Sequence, residues 1–451
     1  MSIVMKFGGT SVADAAALDN VARIVAAHRL DGPVVVVSAM SGVTDALLAS
    51  TRSASEGSPE EAMASLAETF RRHEQAAEEL LPSPAGFLEY LNNASTQISE
   101  LLTRAAAQPV NGRVVQDAIV SFGEMLSSRL LAEALAQRGV NAQQVDPRCC
   151  IITDDEYTCA APLRSETWAR SQQSLLPFLK DESVPVVGGF VGCTTTGITT
   201  TLGRGGSDYT AALLGAALRA TEIQIWTDVT GVLTADPRVV PDAQTVERLS
   251  YSEAAELAYF GAKVLHPKTI QPAIEDSIPV RICNSRAPQA RGTLVGPETE
   301  TTPRTIKAIA HKTGVTTVQV TSARMLGAYG FLRAIFEVFE RHRTVVDVVT
   351  TSEVSVSLSL DDDSTLPAVV GELEQLGTVR VEKGRAIICV VGEGLRGTPG
   401  IAGRVFSTIS DINVTLISQG ASSINFTFAI EETRVAEAVR RLHDAFFPNN
   451  R

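Results

Sequence analysis

Residues 201–210, Thr-Leu-Gly-Arg-Gly-Gly-Ser-Asp-Tyr-Thr, constrain this chain more than any other stretch. Gly203, Gly205 and Gly206 let the backbone turn sharply and approach a ligand closely. A helical run, Ala211 to Ala220, follows, and Ser207-Asp208 stands where that helix is expected to start. Capping side chains and unpaired N–H groups at such a place hold small anions. Arg204 adds a planar fork that grips a carboxylate or phosphate at two points. Taken alone, the stretch is equally a glycine turn with a helix cap, so the rest of the chain has to decide.

Three other places carry the same signature. Ile3 to Phe7 is a short apolar strand with one lysine, Lys6, followed by Gly8-Gly9-Thr10-Ser11 and a helical pattern. A strand, a glycine turn and a helix put backbone N–H groups against phosphate. The Walker spacing is absent, because here the lysine precedes the glycines. Pro33 to Ser38 holds four consecutive valines, which suits a parallel strand buried on both faces, and it ends in the small, hydroxylated stretch Ser38 to Thr44. Thr221 to Trp226 is a strand that ends at Thr227-Asp228. In open α/β sheets ligands bind at the C-terminal ends of strands, so Lys6, Ser38, Arg204 and Asp228 are expected to converge. Glu124, in Ser121-Phe122-Gly123-Glu124 on an apolar helix, needs a cationic partner; a salt bridge or a substrate ammonium would serve. Residues 45 to about 115 read as a helical subdomain broken at Pro82 and Pro84, and strands near 279–283 and 305–310 are expected to finish the sheet.

At 451 residues the chain exceeds one ordinary core, so two or three domains are expected. A net charge of −12 without a basic block argues against nucleic acid or an anionic membrane as partner. Six cysteines without C-x-x-C spacing read as reduced core residues of a cytoplasmic protein, and no protein metal site is expected. No apolar run reaches the roughly 20 residues that span a bilayer, and no signal peptide is expected.

The sequence predicts a mostly parallel α/β domain over 1–295, a polar linker over 296–305 and two modules, 306–385 and 386–451. The modules are an internal repeat. Gly330 matches Gly400, Phe336 matches Phe406, and Val354 to Leu358 matches Ile424 to Phe428 at one constant offset. Each reads as a βαββαβ unit of the ferredoxin-like kind, with strands open to exchange between the two. Small paired modules beside a catalytic domain suggest regulation, dimerisation or both.

Lys6-Phe7-Gly8-Gly9-Thr10-Ser11, Gly203 to Asp208, Trp226-Thr227-Asp228-Val229 and Phe260-Gly261-Ala262-Lys263-Val264-Leu265-His266-Pro267 together resemble the aspartate kinases of the amino-acid kinase family, including paired C-terminal ACT modules. The long helical insert after Thr44 is similar to that of the homo-oligomeric, lysine-sensitive type, and the resemblance is to the monofunctional form, in which no homoserine dehydrogenase is expected. The resemblance implies ATP-dependent phosphorylation of the side-chain carboxylate of L-aspartate, with Mg²⁺ bound mainly through phosphate oxygens and water. It implies Lys6 on the moving phosphoryl group, Asp208 orienting Lys6, and Phe7, Gly8, Gly9 and Ser38 along the phosphates. It implies Arg204 on the substrate α-carboxylate and Glu124 on its ammonium, with Thr44, Gly205, Gly206 and Ser207 completing the pocket. Thr227, Asp228, Leu233, Arg238 and Lys263 would hold the nucleotide; many relatives carry tyrosine where Leu233 stands.

For regulation, Met325, Gly330, Phe331, Leu332, Val346, Asp347, Thr351, Ser352 and Glu353 match lysine-binding positions of the lysine-sensitive type. Asp347 and Glu353 would meet its ammonium groups. Ala328 and Val345 replace serines, so lysine or threonine are both expected effectors, acting on a homodimer or homotetramer joined through the ACT modules. Two other readings compete: a kinase of the same fold acting on another carboxylate such as acetylglutamate, and a silent amino-acid sensor. Intact Lys6, Arg204, Asp208 and Lys263 oppose the sensor. Glu124 opposes a blocked amino group, which has no charge to offer it.

Overall fold

Four consecutive valines leave a strand no polar face, and Pro33–Val37 is buried along its whole length. The computed structural model describes residues 2–107, 112–261, 265, 267–297 and 305–448. They fall into two units, 1–232 with 264–297, and 233–263 with 298–451.

The first unit begins with β1 (Ile3–Phe7), α1 (Ala15–Ala27), β2 (Pro33–Val37) and α2 (Val43–Ser55). Helices α3 (Pro59–Ser65), α4 (Ala67–Leu80), α5 (Ala85–Ala107) and α6 (Gly112–Gln137) form the helical insert, interrupted around Pro82 and Pro84 as the sequence predicts. Then come β3 (Ala142–Val145), β4 (Ile152–Thr153), α7 (Arg164–Lys180), β5 (Val184–Gly188), β6 (Val191–Thr194), β7 (Thr199–Thr201), α8 (Gly206–Leu218) and β8 (Glu222–Thr227). After the intervening β9 (Arg248–Ser250) and α9 (Tyr251–Tyr259), the unit resumes with α10 (Gln271–Glu275), β10 (Val280–Asn284) and β11 (Thr293–Gly296). Its strands run in the order β3-β5-β2-β1-β8-β10-β11, all parallel except β11. A smaller sheet is ordered β4-β6-β7. One apolar cluster joins β1, β2 and α1 to the helical insert through Phe7, Leu18, Val37, Phe87 and Ile98.

The second unit holds a six-stranded antiparallel sheet. Its elements are β12 (Ala308–Thr321), α11 (Phe331–Arg341), β13 (Val349–Thr351), β14 (Ser355–Leu360), α12 (Leu366–Leu373), β15 (Thr378–Val391), α13 (Ile401–Thr408), β16 (Val414–Gln419), β17 (Asn425–Glu431) and α14 (Val435–Phe446). The order is β13-β14-β12-β15-β17-β16. Two βαββαβ modules share it. The first is contiguous. The second takes its fourth strand from the front of β12, where Ala308–Lys312 pairs with Ile387–Val391. The register shifts between Lys312 and Thr317, where the strand passes from one module to the other. Segment 305–310 therefore leads into the antiparallel sheet of the second unit and does not finish the parallel sheet of the first.

Residues 233–263 also belong to this unit, whereas the sequence assigns them to the kinase domain. The reason is packing. Ala235 and Val240 join the apolar core of the second module. Thr234 bonds His443 at 2.9 Å, and Lys307 pairs with fully buried Glu253 at 2.7 Å.

Candidate active site

The register of β1 sets Phe7 beside Val37 and Trp226, and β2 sets Val37 beside Gly188. Four strands thus end at one level, and a cleft of about 680 Å³ opens there. Lys6, Gly9, Ser38, Thr44, Glu124 and the loop from Gly203 to Asp208 line it. All of these are residues that the sequence singles out.

The Lys6 ammonium lies 2.6 Å from Asp208 Oδ1, and their side chains are 12% and 20% exposed. Helix α8 starts at Gly206 with Gly205 as N-cap and no side-chain cap. Ser207 and Asp208 are therefore in the first turn and do not cap it, contrary to the sequence expectation. Asp208 gains from the positive end of the helix dipole and turns its carboxylate to Lys6. Gly205 has φ +75, and a Cβ there would sit 2.6 Å from Thr269 Cγ2. Gly189 has no room either, since its Cβ would meet Ser207 Cβ at 2.6 Å. The loop is held by close packing that larger residues would break.

Two phosphate contacts need correcting. Phe7 is fully buried and stacks on Trp226 with 5.8 Å between ring centroids, so its side chain serves the core. The Gly8 N–H donates to Trp226 O at 3.2 Å and extends the strand pairing. Gly9 is different. It opens the 3-10 helix Gly9–Val12, whose first amides have no acceptor within the helix, and it lines the cleft. Ser38 donates its N–H to Phe7 O, and its carbonyl accepts from the Ser127 hydroxyl at 2.8 Å.

Glu124 on α6 is 3% exposed. Its Oε1 accepts from Ala39 N–H at 3.2 Å, and Oε2 has no partner among the described residues. Burial pushes this carboxyl up to about 8. Arg204 is exposed on the cleft wall and pairs with no acidic side chain among the described residues. An unpaired buried acid and an unpaired guanidinium in one cleft can receive the two charged ends of an amino acid.

Thr227 is half-buried and bonds its hydroxyl to Asp228 Oδ1 at 3.2 Å; Asp228 is exposed. Leu233 and Arg238 belong to the second unit, where the Arg238 guanidinium forks onto Asp236. Lys263 lies outside the described residues. In the first module Gly330 caps α11 at φ +80, while Met325, Phe331 and Val346 pack against the module core. Leu332, Thr351, Ser352 and Glu353 are exposed. Asp347 bonds the Tyr259 hydroxyl and lies 3.7 Å from the Lys312 ammonium.

The sequence reading gave no role to Asp117, Thr158, Phe190 or Thr201, which lie at or beside the cleft. Asp117 is fully buried and accepts from Thr158 N–H, Thr201 N–H and the Thr201 hydroxyl. A signal existed. Asp117 precedes Glu124 by two helical turns within the apolar run Val114 to Val120. Phe190 has φ +66, a conformation that nothing in its sequence announces.

Comparisons with known proteins show the family. The amino acid kinase family model matches residues 1–284, and an ACT domain model matches residues 388–446. The chain is 40% identical to chloroplastic aspartokinase 1 of Arabidopsis thaliana, over 99% of this chain and 80% of that one. It is 38% identical to lysine-sensitive aspartokinase 3 of Escherichia coli, over 99% of both. The crystal structure of E. coli aspartokinase III with aspartate and ADP superposes with a TM-score of 0.81, covering 99% of this chain and 100% of that one. The form with lysine and aspartate gives 0.83, covering 99% of each. A family model over more than half of the chain, and relatives of this identity along nearly all of it, place the chain among the aspartokinases of the amino acid kinase family.

Proposed function

We propose that this cleft binds L-aspartate between Glu124 and Arg204 and presents its side-chain carboxylate to the γ-phosphoryl group of ATP beside Lys6. The observation that carries this is the Lys6–Asp208 pair, facing an unpaired acid and an unpaired arginine in one cleft. The nucleophile is a carboxylate, already ionised at neutral pH, so the reaction needs no general base. One carboxylate oxygen bonds to γ-phosphorus as the bond to the β,γ-bridging oxygen breaks, giving 4-phospho-L-aspartate and ADP. Charge neutralisation and alignment are the main demands of such a transfer. Lys6 supplies the charge, and Asp208 holds its ammonium in place. Gly9 offers an amide to the phosphates, Ser38 borders their path, and Thr44 and Ser207 offer hydroxyls to the substrate.

Mg²⁺ would arrive on the nucleotide. Its proposed ligands are mainly phosphate oxygens and water. Thr227 and Asp228 are the proposed nucleotide contacts of the first unit. Inhibition by an amino acid, with lysine as first candidate, is proposed at the first ACT module. The exposed apolar side chains Leu326, Tyr329, Phe336 and Val345 of that module would be covered in a homo-oligomer.

The test is Mg-ATP turnover with L-aspartate, set beside N-acetyl-L-glutamate, with hydroxylamine to trap acyl phosphate. Aspartate-dependent hydroxamate is expected, and Lys6→Ala lowers kcat by about 10³-fold, the scale of losing one donor to transition-state charge. Turnover with acetylglutamate alone, or folded ATP-binding protein that turns over neither, overturns the reading.

A further inference from the structure

We infer that Asp117, which does not reach the cleft, is the positioning residue that sets the Arg204 loop for the substrate α-carboxylate. The inference rests on the reading of Arg204 given above. Asp117 stands near the start of α6 and is fully buried. Its Oδ2 accepts from Thr158 N–H at 2.9 Å and Thr201 N–H at 3.1 Å, and its Oδ1 accepts from the Thr201 hydroxyl at 2.7 Å. A buried carboxylate without a cationic partner is costly, and here three donors offset that cost.

What those donors hold is the approach to the loop. Thr201 ends β7 and is followed directly by Leu202, Gly203 and Arg204. Thr158 has φ +74, and a β-branched residue there is a backbone outlier that its surroundings must impose. The two segments are tied further by Ala160 N–H to Thr201 O at 2.9 Å. Gly203 then lies against the strained segment. A Cβ on it would sit 3.3 Å from Cys159 Sγ and 3.4 Å from Thr158 O. One carboxylate thus joins two backbone segments and fixes the residue from which Arg204 projects. Thr158 and Thr201 themselves line the cleft, so any relaxation there reaches the substrate site.

Glu124 lies on the same helix, two turns on. A single helix therefore references both ends of the substrate: Glu124 directly at the ammonium, Asp117 through the loop at the α-carboxylate.

Steady-state kinetics of the full chain, with each substrate varied at saturating levels of the other, test this. Asp117→Asn places an amide N–H against backbone donors or removes one acceptor; Thr201→Val removes only the hydroxyl. Both are expected to raise KM for aspartate by roughly tenfold or more, as small misplacements of a clamp do, while KM for ATP stays within twofold. Thr201→Ser keeps the hydroxyl and recovers most of the loss. Thr201→Val keeps the test decisive should Asp117→Asn fail to fold. Equal changes in both KM values, or an aspartate KM within twofold of wild type in Thr201→Val while Arg204→Lys raises it, overturn the role of Asp117. An unchanged aspartate KM in Arg204→Lys overturns the carboxylate reading of Arg204, and this inference with it.

Discussion

Glu124 in the cleft and Asp347 in the first ACT module are both buried acids that the sequence marks as receivers of a ligand ammonium. Their surroundings differ. Glu124 has one backbone donor and an oxygen with no partner, and burial alone pushes it up to about 8. Asp347 is raised to about 7 by burial and by Asp361 beside it; its Oδ2 also lacks a hydrogen-bond partner among the described residues, but it lies 3.7 Å from the Lys312 ammonium. The Tyr259 hydroxyl bonds it, and Lys312 lies between it and Asp361 with its ammonium 4.9 Å above the Tyr259 ring. Among the described residues the first acid has no cation beside it, whereas the second has Lys312. On the proposed roles, Glu124 has only to fill a vacancy while Asp347 has to exchange partners, and such an exchange can change the shape of the element around it.

The largest expected effect tests the vacancy. Glu124→Gln keeps the shape and removes the charge that the substrate ammonium would pair with. Losing one partner of a buried pair costs about 3 kcal/mol or more. KM for aspartate should rise roughly 10²-fold, while KM for ATP stays put. Asp347→Asn should leave the aspartate KM alone and weaken inhibition by the amino-acid effector. If the two variants affect the same parameter, the contrast between the acids is wrong.

The next effect depends on pH. Between about 4.5 and 8 the folded protein keeps a proton on Glu124 that the unfolded chain has lost. The native state holds more protons there, so this group makes the empty protein less stable as pH rises through that window, by up to about 1.4 kcal/mol per unit. A bound ammonium requires the carboxylate form, so aspartate binding expels that proton. KM for aspartate should therefore fall as pH rises from 6 to 8, by up to about tenfold per unit, and the slope should flatten in Glu124→Gln. Initial rates at three pH values check it. A KM independent of pH in the wild type would mean that Glu124 is ionised before substrate arrives.

What the sequence made legible follows from how far apart the partners lie along the chain. Lys6 and Ser38 were readable because they stand at the ends of neighbouring parallel strands, which end together, and Arg204 because glycines flank it in the loop after β7. The exchange of Ala308–Lys312 was legible only as an option, since a half-strand carries no mark of which module it completes. Residues 233–263 lie within the stretch that the amino acid kinase family model matches, yet buried contacts such as Lys307–Glu253 pack them with the second unit, which chain order alone does not show. The Gly8 amide was misread because a glycine turn does not show where the strand pairing stops. Lys312 beside Asp347 could not be foreseen, because a lysine on an alternating strand reads as a solvated residue until the fold brings the two acids to it.

The smallest effect addresses that lysine. If Lys312 occupies the place an effector ammonium needs, removing it frees Asp347. The pair is partly exposed, Lys312 by 26% and Asp361 by 38%, so the interaction is screened and contributes about 1 kcal/mol. Lys312→Met should then lower the lysine concentration for half-inhibition by roughly fivefold, with kcat in the absence of effector close to wild type. Met keeps the length that packs over the Tyr259 ring, so a change reports the charge and not the packing. A weaker response to lysine would mean that Lys312 assists the effector, for instance by holding Asp347 and Asp361 apart. The two acids would then be alike in needing their ligand's cation, and different only in how much structure must be broken to receive it.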